Sequence, residues 1–390
     1  MRMVGTRAYG VRLPIISRGD DLVEIAADCL VQTVVSENLV LTENDVVGVT
    51  EAIVAKSQGN YAKVGDIASD VATKFGAGAD IGVVFPGLSR NRYLHILKGI
   101  ARGAGKLTIL LKYPSDEVGN PIMDMDILDS VIDNCADPAA AGAFRDLAGC
   151  FVHPFTGVDY ISLYESIGDN VEVYLSKDPR DILKFTKNII IGEIHSRFST
   201  RNRLLKAGAQ KAYLLSDILA EPVNGSGYNE DYGVLGSNVL SENDIKLFPR
   251  DCGTFINKLR SEIERRLGTA PEALIYGDGA FKDPVAGIWE LMDPVVSPAY
   301  TERLGGIPDE LKLKYLADNV PGGLSGEEKR QAVADMIRDK KHENIFLRLG
   351  TTPRRYADLI GSLCDLVSGS GDKGTPVVLI KGYFDDYSEN

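Results

Sequence analysis

The chain has no long apolar run. Nowhere do its 390 residues approach the roughly 18 consecutive apolar residues of a membrane span. The opening MRMVGTRAYGVRLP carries no apolar core of a secretion signal. Positive charge is also short: 43 Lys and Arg stand against 55 Asp and Glu, for a net charge of −12. That balance argues against nucleic-acid or anionic-membrane partners, which need a strong basic patch. The histidines are His95, His153, His195 and His342, in no paired spacing, so a zinc site is not expected. The cysteines, Cys29, Cys135, Cys150, Cys252 and Cys364, are odd in number and scattered through apolar patterns. They read as small buried hydrophobes in a reducing cytoplasm rather than as a disulfide framework.

What is present is material for a core, with 44% hydrophobic and 25% charged residues. The length predicts two domains, or one domain carrying a large insertion. Leu13-Pro14-Ile15-Ile16 reads as an apolar loop fixed by proline. Gly19-Asp20-Asp21 opens a helix with Asp20 as its cap, and Leu22, Ile25, Ala26, Cys29 and Leu30 recur at helical spacing. Asp45 to Val49 is a buried strand whose apolar run continues through Thr50 and Glu51 to Lys56, beside a glycine turn. A lysine placed there can reach a phosphate, or simply snorkel to the surface.

From residue 61 to 232 helix and strand patterns alternate, as in an α/β unit. Tyr61 to Phe75 reads as a helix, Ile81 to Phe85, Leu107 to Tyr113 and Asn188 to Ile194 as strands, and Arg201 to Lys206 as part of a helix. Arg90, Arg92, Arg197, Arg201 and Arg203 follow strands and suit either an anionic substrate or exposed helix starts. Asp124, Asp126, Asp129 and Asp133 read as a solvated helix face. Further on, Thr254 to Leu267 is a helix closed by Gly268, and Ser325 with Glu328 forms a capping box. A last helix opens at Thr352-Pro353, and Pro376 to Gly382 is the final strand.

The stretch ALIYGDGAFKDP, residues 273–284, places Asp278 between two glycines at the end of a short buried strand. Glycines let backbone N–H groups approach an anion, and the carboxylate offers a hard oxygen to Mg²⁺ or Mn²⁺. The same tripeptide also suits an ordinary turn.

Five separated pieces, in order, together resemble one family. They are LPIISRGDDL (13–22), DVVGVTEAIVAKSQG (45–59), GVLGSNV (233–239), ALIYGDGAFKDPVAG (273–287) and DLIGSLCDLVSGSGDKGTPVVLIKG (358–382). The set is similar to the coenzyme F420-0:L-glutamate ligases, the GTP-dependent γ-glutamyl ligases of deazaflavin coenzyme maturation. The resemblance leaves residues 61–232 uncovered. It implies an α+β ligase core made of residues 1–60 and 233–390, with 61–232 as an α/β insertion. It also implies a cytoplasmic homodimer of intertwined subunits.

The chemistry so implied is GTP- or ATP-driven amide formation between L-glutamate and the carboxylate of an anionic small-molecule acceptor, through an acyl phosphate. Mg²⁺ or Mn²⁺ would assist, with K⁺ as an accessory. By resemblance Leu13, Pro14, Ile15 and Ile16 form the nucleotide loop, and Thr50, Glu51 and Lys56 a second nucleotide-contacting motif. Asn238 and Gly279 complete the nucleotide set. Asp278 matches the metal-binding Asp, and Asp278 with Lys56 forms the catalytic pair. Leu235 stands where the family has a second metal carboxylate, and Glu230 or Asp231 just upstream would substitute for it. The departures leave open a different acceptor such as a folate or a peptide, a non-catalytic nucleotide-binding relative, and a phosphotransferase.

Overall fold

A computed structural model describes residues 4–132, 138–149, 151–154, 156–278, 281–282, 289–290, 293–308, 313–318, 320, 322–339, 354–369, 371–385 and 388. The fold is α+β. Five strands form one sheet in the order Arg7–Val11, Val377–Lys381, Val46–Thr50, Glu272–Tyr276 and Ala299–Tyr300. Val46–Thr50 and Glu272–Tyr276 run parallel, while the other neighbours are antiparallel.

Successive side chains of a strand point to opposite faces. Val47, Val49, Ala273, Ile275, Val377 and Leu379 therefore pack on one side, against Ala26 and Leu30 of the Leu22–Ser36 helix and Ile256 and Ile263 of the Cys252–Leu267 helix. Val46, Leu274, Tyr276, Val378 and Ile380 pack on the other, against Ile360 and Cys364 of the Tyr356–Ser368 helix. Burial on both faces is why these strands read as unbroken apolar runs. Gly48 sets the spacing of the second layer, because a Cβ there would lie 2.5 Å from Cys364 Sγ.

A second sheet runs Ala139–Ala140, Val171–Ser176, Lys106–Lys112, Asp80–Val84, Asn188–Ile191, Lys211–Leu214. All pairings but the first are parallel. The chain winds outward from Asp80–Val84 in one direction, then returns and winds the other way from Asn188–Ile191. Such a reversal opens a crevice at the carboxyl ends of the two central strands. One face packs on Ile67 and Val71 of the Val64–Phe75 helix and Ile96 and Ile100 of the Tyr93–Gly103 helix, the other on Ile182 and Leu204. A small antiparallel sheet of Asn238–Val239, Asp244–Lys246 and Tyr61–Lys63 closes the first of these cores, to which Leu235, Ile245 and Leu247 belong.

Several local expectations change. Tyr61–Lys63 is a strand, not the first turn of a helix, because its partner Asp244–Lys246 lies far along the chain. The apolar run after Val49 does not stay extended: Glu51–Gln58 is a helix, ended by Gly59 at φ 62°, and carries Lys56 in its last turn. Asp21, rather than Asp20, caps the first helix by accepting the Glu24 N–H at 3.2 Å, while Asp20 accepts the Ser17 N–H at 2.6 Å. The Ser325–Glu328 capping box forms as read. Thr352 and Pro353 lie outside the described residues, and the described helix begins at Tyr356. No helix among the described residues is long and apolar enough to cross a membrane.

Candidate active site

The two parallel strands of the five-stranded sheet set up the site. Thr50 and Tyr276 are register partners, so Glu51 and Gly277-Asp278 leave the same sheet edge side by side. The Thr50 N–H and the Tyr276 hydroxyl both donate to the Pro376 carbonyl, at 3.0 and 3.3 Å. The Gly277 N–H donates to the Val296 carbonyl at 2.8 Å, and the Asp278 N–H to Asp293 Oδ2 at 2.7 Å. Gly277 is required by that second contact, since a Cβ there would stand 2.5 Å from Asp293 Oδ2. Gly277→Ala is thus expected to displace Asp293, costing about 1–3 kcal/mol as overpacking does. Loss of activity with a lowered urea midpoint would show it; an unchanged midpoint would contradict it.

Asp293 is the hub. Its Oδ1 accepts from Arg92 Nη2 at 2.8 Å, and both side chains are buried, at 7% and 4% exposure. Arg92 arrives from the loop after Asp80–Val84, so the parallel sheet supplies a cation to the edge of the other sheet. Glu51 accepts from Lys246 Nζ at 3.2 Å through Oε1, while its Oε2 is buried with no hydrogen-bond partner among the described residues. Burial raises the Glu51 carboxyl above its ordinary range, with Asp293 adding to the rise and Lys246 opposing it. Asp278 reaches solvent, yet enough protein surrounds it that desolvation, then the charge of Asp293, push its pKa up to about 7. Arg92 opposes that rise, and Asp365 and Glu51 add to it. Among the described residues four carboxylates thus face two cations.

That donor set fits a hard divalent cation. The unpartnered Glu51 oxygen and the proton-hungry Asp278 are the carboxylates left to receive one. Among the described residues no three His, Cys, Asp or Glu side chains already converge as a cage. Mg²⁺ commonly takes one or two carboxylates and completes its shell with phosphate and water.

Beside this cluster lies a cavity of about 310 Å³, lined by Leu13, Pro14, Ile15, Ile16, Thr50, Ala52, Ile53, Lys56, Gly371, Asp372, Gly374 and Pro376. The proline loop, the start of the Glu51–Gln58 helix and the glycine turn before the last strand therefore meet in space. Ile16 is buried beneath, whereas Ile15 is 88% exposed and offers an apolar surface at the rim. Lys56 is exposed at the same mouth.

Other expected site residues fall elsewhere. Asn238 is exposed and lines no part of this cavity, but it is the ladder partner of Lys246, which holds Glu51. Asp231 is exposed in the loop after Asn229 and is not among the charges that chiefly act on Asp278. Leu235 is 1% exposed and packs in the core of the parallel-sheet unit. Gly279 lies outside the described residues.

The carboxylate partner of Asp278 is Asp293, which sequence reasoning missed. Its only trace in the sequence is the small residue at Gly277. Arg92 was legible as a cation after a strand, but not as the partner of that Asp.

No curated protein matches the chain. A family model, F420-0:Gamma-glutamyl ligase, matches residues 10–382, and that span includes the parallel-sheet unit as well as all five motif pieces. With the glycine-flanked Asp278, the LPII loop and Lys56 gathered at one sheet edge, the chain belongs to the F420-0:gamma-glutamyl ligase family.

Proposed function

We propose that the protein is a nucleotide- and metal-dependent γ-glutamyl ligase that uses GTP and joins L-glutamate to the carboxylate of coenzyme F420-0. The observation that carries this reading is the juxtaposition of the 310 Å³ cavity with the carboxylate cluster, the two sharing the Thr50–Glu51 corner. Family membership supports γ-glutamyl ligation. The cavity lies within the size range of small-molecule sites, and its mixed apolar and glycine-rich lining suits a nucleotide.

In this reading the base and ribose occupy the space between the LPII loop and the Glu51–Gln58 helix. The Lys56 ammonium acts as a point charge on the phosphates. Asp278 and Glu51 would hold Mg²⁺ or Mn²⁺, which when bound supplies neutralisation of phosphate charge. An oxygen of the acceptor carboxylate attacks the terminal phosphorus, and the bond to the nucleoside diphosphate breaks. The amine of L-glutamate then attacks the acyl carbon, phosphate leaves, and the amine's proton passes to a cluster carboxylate. Of these carboxylates, Glu51 and Asp278 bind protons more tightly than usual, because burial and the neighbouring charge of Asp293 disfavour their ionised forms.

A panel of nucleotides, amino acids and acceptors tests this. Phosphate release that requires both L-glutamate and coenzyme F420-0 is expected, with a preference for GTP over ATP. Release indifferent to both would sink the ligase reading. Lys56→Ala is expected to raise KM for GTP by about tenfold or more, as losing a charge-assisted phosphate contact worth about 1.5–3 kcal/mol does. KM for L-glutamate should stay unchanged, and an unmoved GTP KM would contradict the role given to Lys56.

A further inference from the structure

The parallel sheet of residues 80–214 contributes Arg92 to the active site, and the crevice at its switch point opens beside that arginine. We propose that this crevice is the acceptor subsite, with Arg197 as counter-charge for a second oxyanion group on the acceptor, distinct from the carboxylate that reacts. The inference rests on the ligase reading.

The crevice is built from the loops that follow Asp80–Val84 and Asn188–Ile191. These loops are tied together at their base. The Gly192 N–H donates to the Val84 carbonyl at 2.7 Å, the Tyr93 hydroxyl donates to the Gly192 carbonyl at 2.9 Å, and a Cβ on Gly192 would lie 2.6 Å from Pro86 Cα. Phe85 turns the first loop at φ 52°, a left-handed backbone that a bulky residue rarely adopts and that clusters at functional sites.

That first loop ends in Arg92, whose partner Asp293 also holds the Asp278 N–H. The loop that borders the crevice is thereby tied to the reaction centre. None of the residues lining the 310 Å³ cavity belongs to this sheet, so a nucleotide in the cavity leaves the crevice open.

Arg197 supplies the chemistry. It is half-buried, its Nε is buried with no hydrogen-bond partner among the described residues, and its Nη1 donates to the Ile194 carbonyl. It makes no ion pair with any described residue. Burial works against its charge, and Glu117, the acid that acts on it, is already committed. Glu117 Oε1 accepts from the Ile194 N–H at 2.7 Å, and Oε2 from the His195 N–H at 3.0 Å and the Ser196 hydroxyl at 3.1 Å. The N–H groups of residues 194–196 are thus filled internally, and the donor left without a partner among the described residues is on the Arg197 guanidinium. A planar fork of that kind matches a carboxylate or phosphate group.

The test uses the full-length enzyme with GTP, L-glutamate, Mg²⁺ and coenzyme F420-0 as acceptor probe. Arg197→Gln is expected to raise KM for the acceptor at least tenfold with KM for GTP within twofold, and Arg197→Lys to fall between. Hydrogen exchange on the wild type provides a second arm: the probe should protect residues 85–92 and 192–197, and GTP residues 13–16 and 371–376. An acceptor KM within twofold of wild type in Arg197→Gln, or bound probe that leaves both loops unprotected, overturns the subsite while leaving the ligase reading intact. Protected loops without turnover would uphold the subsite against a failed ligase reading. Neither binding nor turnover would overturn both.

Discussion

Asp278→Asn should lower amide formation by about 10²–10³-fold, the usual cost of removing one electrostatic group aimed at a transition state, and at the same time make the protein more stable above neutral pH. The two effects share a cause. Asp278 sits beside Asp293, Glu51 and Asp365, and its pKa is pushed up to about 7 by desolvation and by Asp293. An ordinary Asp in the unfolded chain titrates near 3.9. Between those values the folded state holds a proton that the unfolded state has lost. Stability therefore falls as pH rises from about 4 to about 7 and stays reduced above that.

The Asn variant is spared this loss, so its melting temperature should exceed that of the wild type at pH 8 and match it near pH 4. The increment is moderated because Asp278 keeps contact with solvent. Added Mg²⁺ or Mn²⁺ should narrow the difference at pH 8 by stabilising only the wild type. Melting curves across pH, with and without metal, check both statements. A variant no more stable than wild type at pH 8, or one with undiminished turnover, would contradict the role given to Asp278.

The second large effect is expected at Arg92. Arg92→Gln removes one partner of an ion pair in which both side chains are more than nine-tenths buried, stranding Asp293 among other carboxylates. Breaking a buried pair from one side typically costs about 3–5 kcal/mol, so the urea midpoint should fall with little change in its slope. Asp293→Asn in the same background should recover part of the loss, because no charge is then left uncompensated. Activity should not recover with it, since the carboxylate that holds the Asp278 N–H is gone. A double variant no more stable than Arg92→Gln would argue that the pair is incidental.

The fold was most legible where burial is two-sided. Val46–Thr50, Glu272–Tyr276 and Val377–Lys381 are β-branched or aliphatic runs, and the helix Cys252–Leu267 carries one clear apolar face closed by Gly268. Tyr61–Lys63 was not legible, because its extended form depends on a partner strand some 180 residues away. The cavity side of the site was visible as local motifs: Leu13 to Ile16, Thr50 and Lys56 do meet around one cavity. The carboxylate side was not. Asp293 lies 15 residues beyond Asp278, and Arg92 lies 201 residues before Asp293, with no spacing rule joining them. At Leu235 the motif comparison marks an absent carboxylate, and the side chain that stands there is part of the core.

The measurement that bears most directly on the account follows the oxygen atoms. The acceptor carboxylate would be labelled with heavy oxygen and incubated with the enzyme, GTP, L-glutamate and Mg²⁺. The acyl-phosphate route predicts one labelled oxygen in each inorganic phosphate released, and a γ-glutamyl product formed in equal amount. Phosphate free of label, or released without product, would contradict it.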